Sequence, residues 1–151
     1  MLEQALLCDA IGDAIEHGDH THSTDWDEVQ AFCNSVYMPY RVRPLDRLSR
    51  PDATLISAQA GRMTMTRFSY GTGIHLDRFD PEAGNILVLN TIRGALDHQT
   101  DGGSVSTGEG ESFVVDCSRA EYWLEAAPDH MQLNLTIPHA VMEETAERWL
   151  G

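Results

Sequence analysis

The sequence contains no lysine at all, and its ten basic residues are therefore all arginine, set against 24 acidic ones for a net charge of −14. Phosphate backbones are held by clusters of Lys and Arg that release counterions, so a chain this negative repels DNA and RNA. Cysteine is scarce as well. Cys8, Cys33 and Cys117 are odd in number, far apart and show no CxxC spacing. Neither a disulfide framework nor a zinc site follows from them, and reduced thiols in the cytoplasm are the expectation. No apolar run approaches the ~20 residues of a membrane span, and Met1–Ala14 carries Glu3, Asp9 and Asp13 with no basic start, which excludes a signal peptide. The expectation is a soluble, cytoplasmic protein without membrane contact.

With 151 residues the chain makes one ordinary domain, long enough to bury roughly 68–70% of its unfolded surface. The stretch Asn85–Pro138 organises it. Short β-prone runs (Asn85–Arg93, up to Thr100, Ser104–Thr107, Ser112–Asp116, Glu121–Glu125, Met131–Ile137) alternate with Gly, Asp and Ser punctuation. Spacings of about 8–12 residues between such runs mark an all-β sandwich or barrel. Asp101-Gly102 is a two-residue hairpin signal, and Cys117-Ser118-Arg119 a further turn.

Upstream, Leu2, Leu6, Ile11 and Ile15 recur at helical spacing and predict an N-terminal helix stopped by Gly18. His17, His20 and His22 then fall in a polar linker, which has no fixed geometry for a metal. Thr24 or Asp25 caps a second helix, with Asp27 and Glu28 in its first turn and Trp26, Val29, Phe32, Cys33 and Val36 as its apolar stripe, ending before Pro39. Arg41–Leu45 reads as an edge strand limited by Pro44, and Thr54–Ala60, Met63–Tyr70 and Ile74–Phe79 as further strands. On Met63–Tyr70, Met63, Met65 and Arg67 share one face while Thr64, Thr66, Phe68 and Tyr70 share the other. Both are mixed, and the pattern leaves open which points inward.

Asn85–Arg93 is apolar on both faces, as a doubly covered strand would be. Asn90 is expected inside, where it must find a hydrogen-bond partner. Met131, Leu133, Leu135 and Ile137 alternate with Gln132, Asn134 and Thr136, giving a final strand with one polar face. After Pro138, which suits a first helical turn, Val141, Met142, Thr145, Ala146 and Trp149 form a last helical stripe.

Several scattered stretches, in order, carry a resemblance. They are Trp26 followed by Tyr40–Leu45; Leu87–Gly94; Gly108-Glu109-Gly110-Glu111-Ser112–Asp116; Tyr122; and Gln132–Pro138. Together they resemble the N-terminal regulatory, AraC-binding-like domain of AraC/XylS-type transcription regulators over roughly Asp25–Leu150. Glu109-Gly110-Glu111 departs from the family's usual Pro-Gly-Asp, keeping the glycine and an acid but losing the rigid proline.

The resemblance implies a mainly β, cupin-like antiparallel barrel or jelly roll with flanking N-terminal and C-terminal helices. Residues 1–23 would be the helix and His-rich linker, and 24–151 the effector-binding and dimerisation domain. The pair of helix-turn-helix units would lie outside this chain, since only His139 and Arg148 are basic after Pro138. Such a domain binds a small-molecule effector, forms a homodimer, and reaches DNA only through the missing part. It is not expected to be an enzyme or to need a cofactor.

The candidate ligand-binding residues are Met65, Arg67, His75, Asn90, Arg93 and Tyr122. Arg67 and Arg93 can each grip a carboxylate bidentately, although an arginine on a strand also has a plainer occupation in a surface ion pair. Val141, Met142, Thr145 and Trp149 are the candidate dimer surface. Two rivals stand beside this reading. One is a stand-alone metal-dependent cupin enzyme using His75, His98 or His130, against which the lack of a His-x-His pair in the barrel region counts. The other is a dimerisation-only domain with a filled barrel. No G-x-S-x-G elbow or phosphate-binding glycine loop is present.

Overall fold

Asp25 starts the first α-helix by accepting hydrogen bonds from the backbone N–H groups of Asp27 (2.7 Å) and Glu28 (3.3 Å). This is α1 (Trp26–Val36), with both acids in its first turn, where the macrodipole favours them. Val29 and Cys33 are fully buried along its stripe, Phe32 stacks on Phe68 with ring centroids 6.0 Å apart, and Trp26 donates from its indole to the Ser49 carbonyl. The helix ends at Val36, short of Pro39, as the sequence requires.

The computed structural model describes residues 2–18, 21–100, 102–116, 118 and 122–151. Its strands, in chain order, are β1 (His22–Ser23), β2 (Arg41–Pro44), β3 (Ala53–Ala60), β4 (Met63–Ser69), β5 (Ile74–Asp77), β6 (Asn85–Arg93), β7 (Leu96–Thr100), β8 (Gly103–Thr107), β9 (Ser112–Asp116), β10 (Leu124–Ala126) and β11 (Met131–Pro138). They form two antiparallel sheets. A six-stranded sheet runs β1-β3-β4-β11-β6-β9 and a five-stranded one β2-β5-β10-β7-β8. Residues of both enter one core, in which Phe68 and Leu89 of the larger sheet and Ile74 and Leu96 of the smaller are among the most deeply buried.

Alternation and burial settle which faces point inward. Thr66 and Phe68 of β4 are buried, so Met63, Met65 and Arg67 lie on the outer face of the six-stranded sheet. On β6, Leu87, Leu89 and Thr91 point in and Ile86, Val88, Asn90 and Ile92 point out, which corrects the expectation that Asn90 faces the interior. Strand β11 lies between them and is inverted relative to a simple hydrophobic pattern. Its polar residues Gln132, Asn134 and Thr136 are buried toward the core, while Met131, Leu135 and Ile137 are half-buried on the outer face. The paired rows Met65, Leu135, Val88 and Val114 across four strands continue that apolar outer face.

The N-terminal helix is not formed. Leu2–Gln4 make a single 3-10 turn, followed by turns and an isolated bridge between Cys8 and Ala14. The Asp9 carboxylate accepts from the N–H groups of Ile11 (3.0 Å) and Asp13 (2.9 Å), a local alternative to helical bonding. Gly12 at φ +92° completes the reversal. The helix predicted after the last strand does form, as α2 (His139–Leu150), with Pro138 as its N-cap at φ −60°, ψ 140° rather than within its first turn.

Thr100 pairs with Gly103, so the β7–β8 connection has two residues, as the hairpin signal requires. Asp101 itself lies outside the described residues, as do His20 of the linker and Cys117 and Arg119 of the turn after β9. Strand β2, ending in Pro44, sits at an edge of its sheet. No helix among the described residues is long and apolar enough to cross a membrane.

Candidate functional site

Between the sheets is a slot of about 20 Å³, walled by Leu76, Phe79, Leu87, Leu89 and Leu124, by Tyr37, Met38 and Tyr40 from the chain following α1, and by Tyr70, Gln132 and Asn134. That volume is room for about one water molecule. Its polar groups converge from two sides. Asn134 donates from Nδ2 to the Tyr37 phenol oxygen (3.0 Å), and the same phenol shares a hydrogen bond with the Thr66 hydroxyl (2.6 Å). On the other side the Tyr40 and Tyr70 hydroxyls are 2.6 Å apart, with the Cys33 sulfur 3.8 Å from Tyr70.

Burial holds these groups neutral. It pushes the Tyr37, Tyr40 and Tyr70 phenols well above their ordinary range and the Cys33 thiol up to about 11. Burial likewise pulls His130 down toward the neutral imidazole. His130 Nε2 lies 3.1 Å from Gln132 Oε1, an oxygen that only accepts, so Nε2 carries the proton and Nδ1 is left a bare acceptor. Nδ1 has no hydrogen-bond partner, and neither have Asn134 Oδ1 and Thr136 Oγ1. Of these, Asn134 alone lines the slot, and the Thr136 hydroxyl can donate as well as accept.

The structure distributes the sequence candidates over three places. Met65, Arg67, Asn90 and Arg93 are together, but on the outer face of the six-stranded sheet. Asn90 is satisfied there, donating to the Leu133 carbonyl (2.8 Å) and accepting from Ser112 (2.7 Å). Arg67 donates to the Glu3 carbonyl (2.8 Å) and Arg93 to that of Asp129 (3.3 Å). His75 is on the outer face of the five-stranded sheet, 3.2 Å from Glu125 and 3.7 Å from Asp77, with its ring stacked on Trp123. Tyr122 is in the core, its ring 6.1 Å from that of Phe79, which lines the slot.

His98 and His130 are apart from His75 and from each other. His98 stacks on Phe113 at 3.8 Å and contacts Thr107 at 3.1 Å. Among the described residues no group of three or more His, Cys, Asp or Glu is placed to hold a metal ion. Tyr37, Tyr40, Gln132 and Asn134, which the sequence reading did not select, line the slot instead. For Gln132 and Asn134 the signal was the polar alternation of the last strand.

Helix α2 has no buried residue. Trp149 is 80% exposed and Met142 45%, while Thr145 bonds back to the Val141 carbonyl and Arg62 of the β3–β4 turn pairs with Glu144 at 2.6 Å.

Residues 29–150 match the model of the AraC-binding-like domain family. No curated protein sequence matches the chain. Among solved structures, the AraC-like transcriptional activator CuxR is similar over 85% of this chain and 48% of its own, at 16% identity and a TM-score of 0.60. The EutQ protein of Clostridium difficile is similar over 58% of this chain and 64% of its own (17% identity, TM-score 0.43). A cupin superfamily protein of Desulfitobacterium hafniense covers 68% and 80%, at 13% identity and a TM-score of 0.40. The chain thus spans about half the length of the activator.

Proposed function

Because this chain belongs to the AraC-binding-like domain family, we propose that it is the effector-sensing and dimerising part of a cytoplasmic AraC/XylS-type transcription regulator. On this reading it does no chemistry. It holds a small molecule inside a jelly-roll container and passes the event to a DNA-binding domain outside this sequence.

One observation carries the sensing role: the Asn134 carboxamide oxygen, buried without a partner on β11, belongs to a residue that lines a largely apolar slot. A ligand site is mostly apolar with a few convergent polar groups, and acceptors without donors select a ligand that brings N–H or O–H groups. The surrounding phenols and the Cys33 thiol are held neutral, which suits recognition of an uncharged polar molecule. An effector larger than a water enters only by displacing side chains such as Tyr37 and Tyr40. Strand β11 runs directly through Pro138 into α2, so a shift of Asn134 or Thr136 reaches that helix along one continuous backbone. Coupling of this kind requires the ligand to favour one of two states.

The narrowness of the slot is the observation that favours the second reading, a dimerisation-only domain whose interior is filled. A thermal-shift screen with small hydroxylated and amide-bearing molecules separates the two. At a hundredfold excess over Kd a ligand adds about 2.7 kcal/mol, several degrees in Tm. That gain should vanish in Asn134→Ala. A screen in which every gain survives Asn134→Ala would leave the filled interior as the better account.

A further inference from the structure

Arg67 and Arg93 flank β11 on the outer face of the six-stranded sheet, level with Leu133 and Met131 respectively. Strands two apart in a sheet are about 10 Å apart, within the combined reach of two arginine side chains leaning over the strand between. The two cations influence each other. Burial, and then the charge of Arg93, pull the Arg67 guanidinium below its ordinary proton affinity. Arg41 and Arg43 pair with Asp77, and Arg62 with Glu144. Among the described residues no carboxylate comes within ion-pair distance of Arg67 or Arg93, and each has a single hydrogen bond, to a backbone carbonyl. Most of the five N–H donors on each guanidinium are uncommitted. The charge of Glu3 opposes the effects of burial and Arg93 on Arg67, but without an ion pair both guanidinium groups keep donors free for a ligand.

The space they border is a cleft of about 260 Å³ whose walls also include Ile92, Met131, Glu3 and Glu109. It is just smaller than the ~300–1,000 Å³ pockets that take drug-sized ligands. Ile92 and Met131 offer apolar contact. Glu3 and Glu109 repel a second negative charge, which disfavours phosphate, sulfate and dicarboxylates. We propose that this cleft, outside the core and distinct from the slot, binds a small molecule carrying one carboxylate and a short apolar body, the carboxylate bridging Arg67 and Arg93. The inference stands apart from the sensing role of the slot.

Isothermal titration of the full chain with hexanoate tests it, with hexanol and inorganic sulfate as parallel titrants. Hexanoate should bind saturably, one per chain, and hexanol and sulfate should not compete with it. Arg67→Ala and Arg93→Ala should each weaken hexanoate roughly ten- to a hundredfold, the loss expected for a charge-assisted hydrogen bond. Arg62→Ala, which removes an arginine already paired with Glu144, should leave binding unchanged. Both residues sit on a surface face, and circular dichroism melts of the unliganded variants matching the parent exclude a folding defect. Arg67→Lys, which keeps the charge but loses the planar fork, should bind with intermediate strength. Failure of hexanoate to bind, equal binding of hexanol, or full binding by both alanine variants overturns the proposal. So does loss of hexanoate binding in Asn134→Ala but not in Arg67→Ala, since the ligand would then occupy the slot.

Discussion

Asn134 and Tyr37 meet inside the core at 3.0 Å, the amide of a central strand donating to a phenol from the segment that follows α1. The bond ties the helix to the larger sheet, and the same phenol serves Thr66. Replacing Tyr37 by Phe leaves the Asn134 amide and the Thr66 hydroxyl buried without it. Such a loss costs about 1–3 kcal/mol. Urea denaturation of Tyr37→Phe should show that decrease with an unchanged slope, whereas a midpoint equal to the parent's would mean the bond contributes nothing.

Cys33 should be inert in the native protein. It is fully buried and its thiol is raised to about 11 by that burial, so almost none of it is thiolate at pH 8. Iodoacetamide at pH 8 should alkylate half-buried Cys8 and reach Cys33 only after unfolding, as read by peptide mapping. Linkage has a matching sign. A folded pKa above the unfolded value of about 8.5 means this contribution is complete below that pH and declines as pH rises toward 11. Cys33→Ala should lack this part of the alkaline loss of stability.

Asp77 gives the opposite dependence at low pH. Arg41 binds it through two hydrogen bonds, 2.7 and 2.6 Å, and Arg43 adds a third at 2.8 Å. The Arg41 bonds, opposed in part by burial, hold its carboxyl below the usual carboxylate range. Its stabilising effect is therefore present above the unfolded value near 3.9 and is lost as pH falls through the lower folded one. Between pH 6 and 2, Tm should fall less steeply for Asp77→Asn than for the parent. Parallel curves would show that this cluster has no part in the acid transition.

The exposed stripe of α2 should behave as a subunit contact. Trp149 is the largest side chain on it and is 80% exposed in the single chain. If it anchors a dimer, Trp149→Ala should weaken association by ~2 kcal/mol or more, about thirtyfold in Kd. The melting of the isolated fold should move by no more than about 0.5 kcal/mol. Sedimentation of the parent as a monomer at millimolar concentration would remove Val141, Met142, Thr145 and Trp149 from this role.

The strands were largely readable from the sequence because period-two alternation and glycine punctuation act locally. Asn85–Arg93 matches the observed strand at both ends, and α1 was visible from Asp25 and its stripe. The helix expected over Leu2–Ile15 was not formed, because periodicity there was outweighed by the Asx-type turn at Asp9 and by Gly12. The site was less legible. Gln132, Asn134 and Thr136 were seen as a polar face, but orientation depends on what the neighbouring strands bury, and here the polar face turns inward. Tyr37 and Tyr40 sit between elements and have no periodicity to reveal that they enter the slot. Arg67 and Arg93 were identified singly, and only the insertion of β11 between β4 and β6 brings them to one cleft.

The inverted strand β11 has a consequence for anyone altering this domain. Valine at Thr136 would keep the shape and remove a buried hydroxyl that lacks a partner, a change that is neutral or stabilising. At Asn134 the same exchange would strip the Tyr37 phenol of its donor. Variants selected only for surviving high temperature would therefore accumulate hydrocarbon at Thr136 and keep the amide two residues before it.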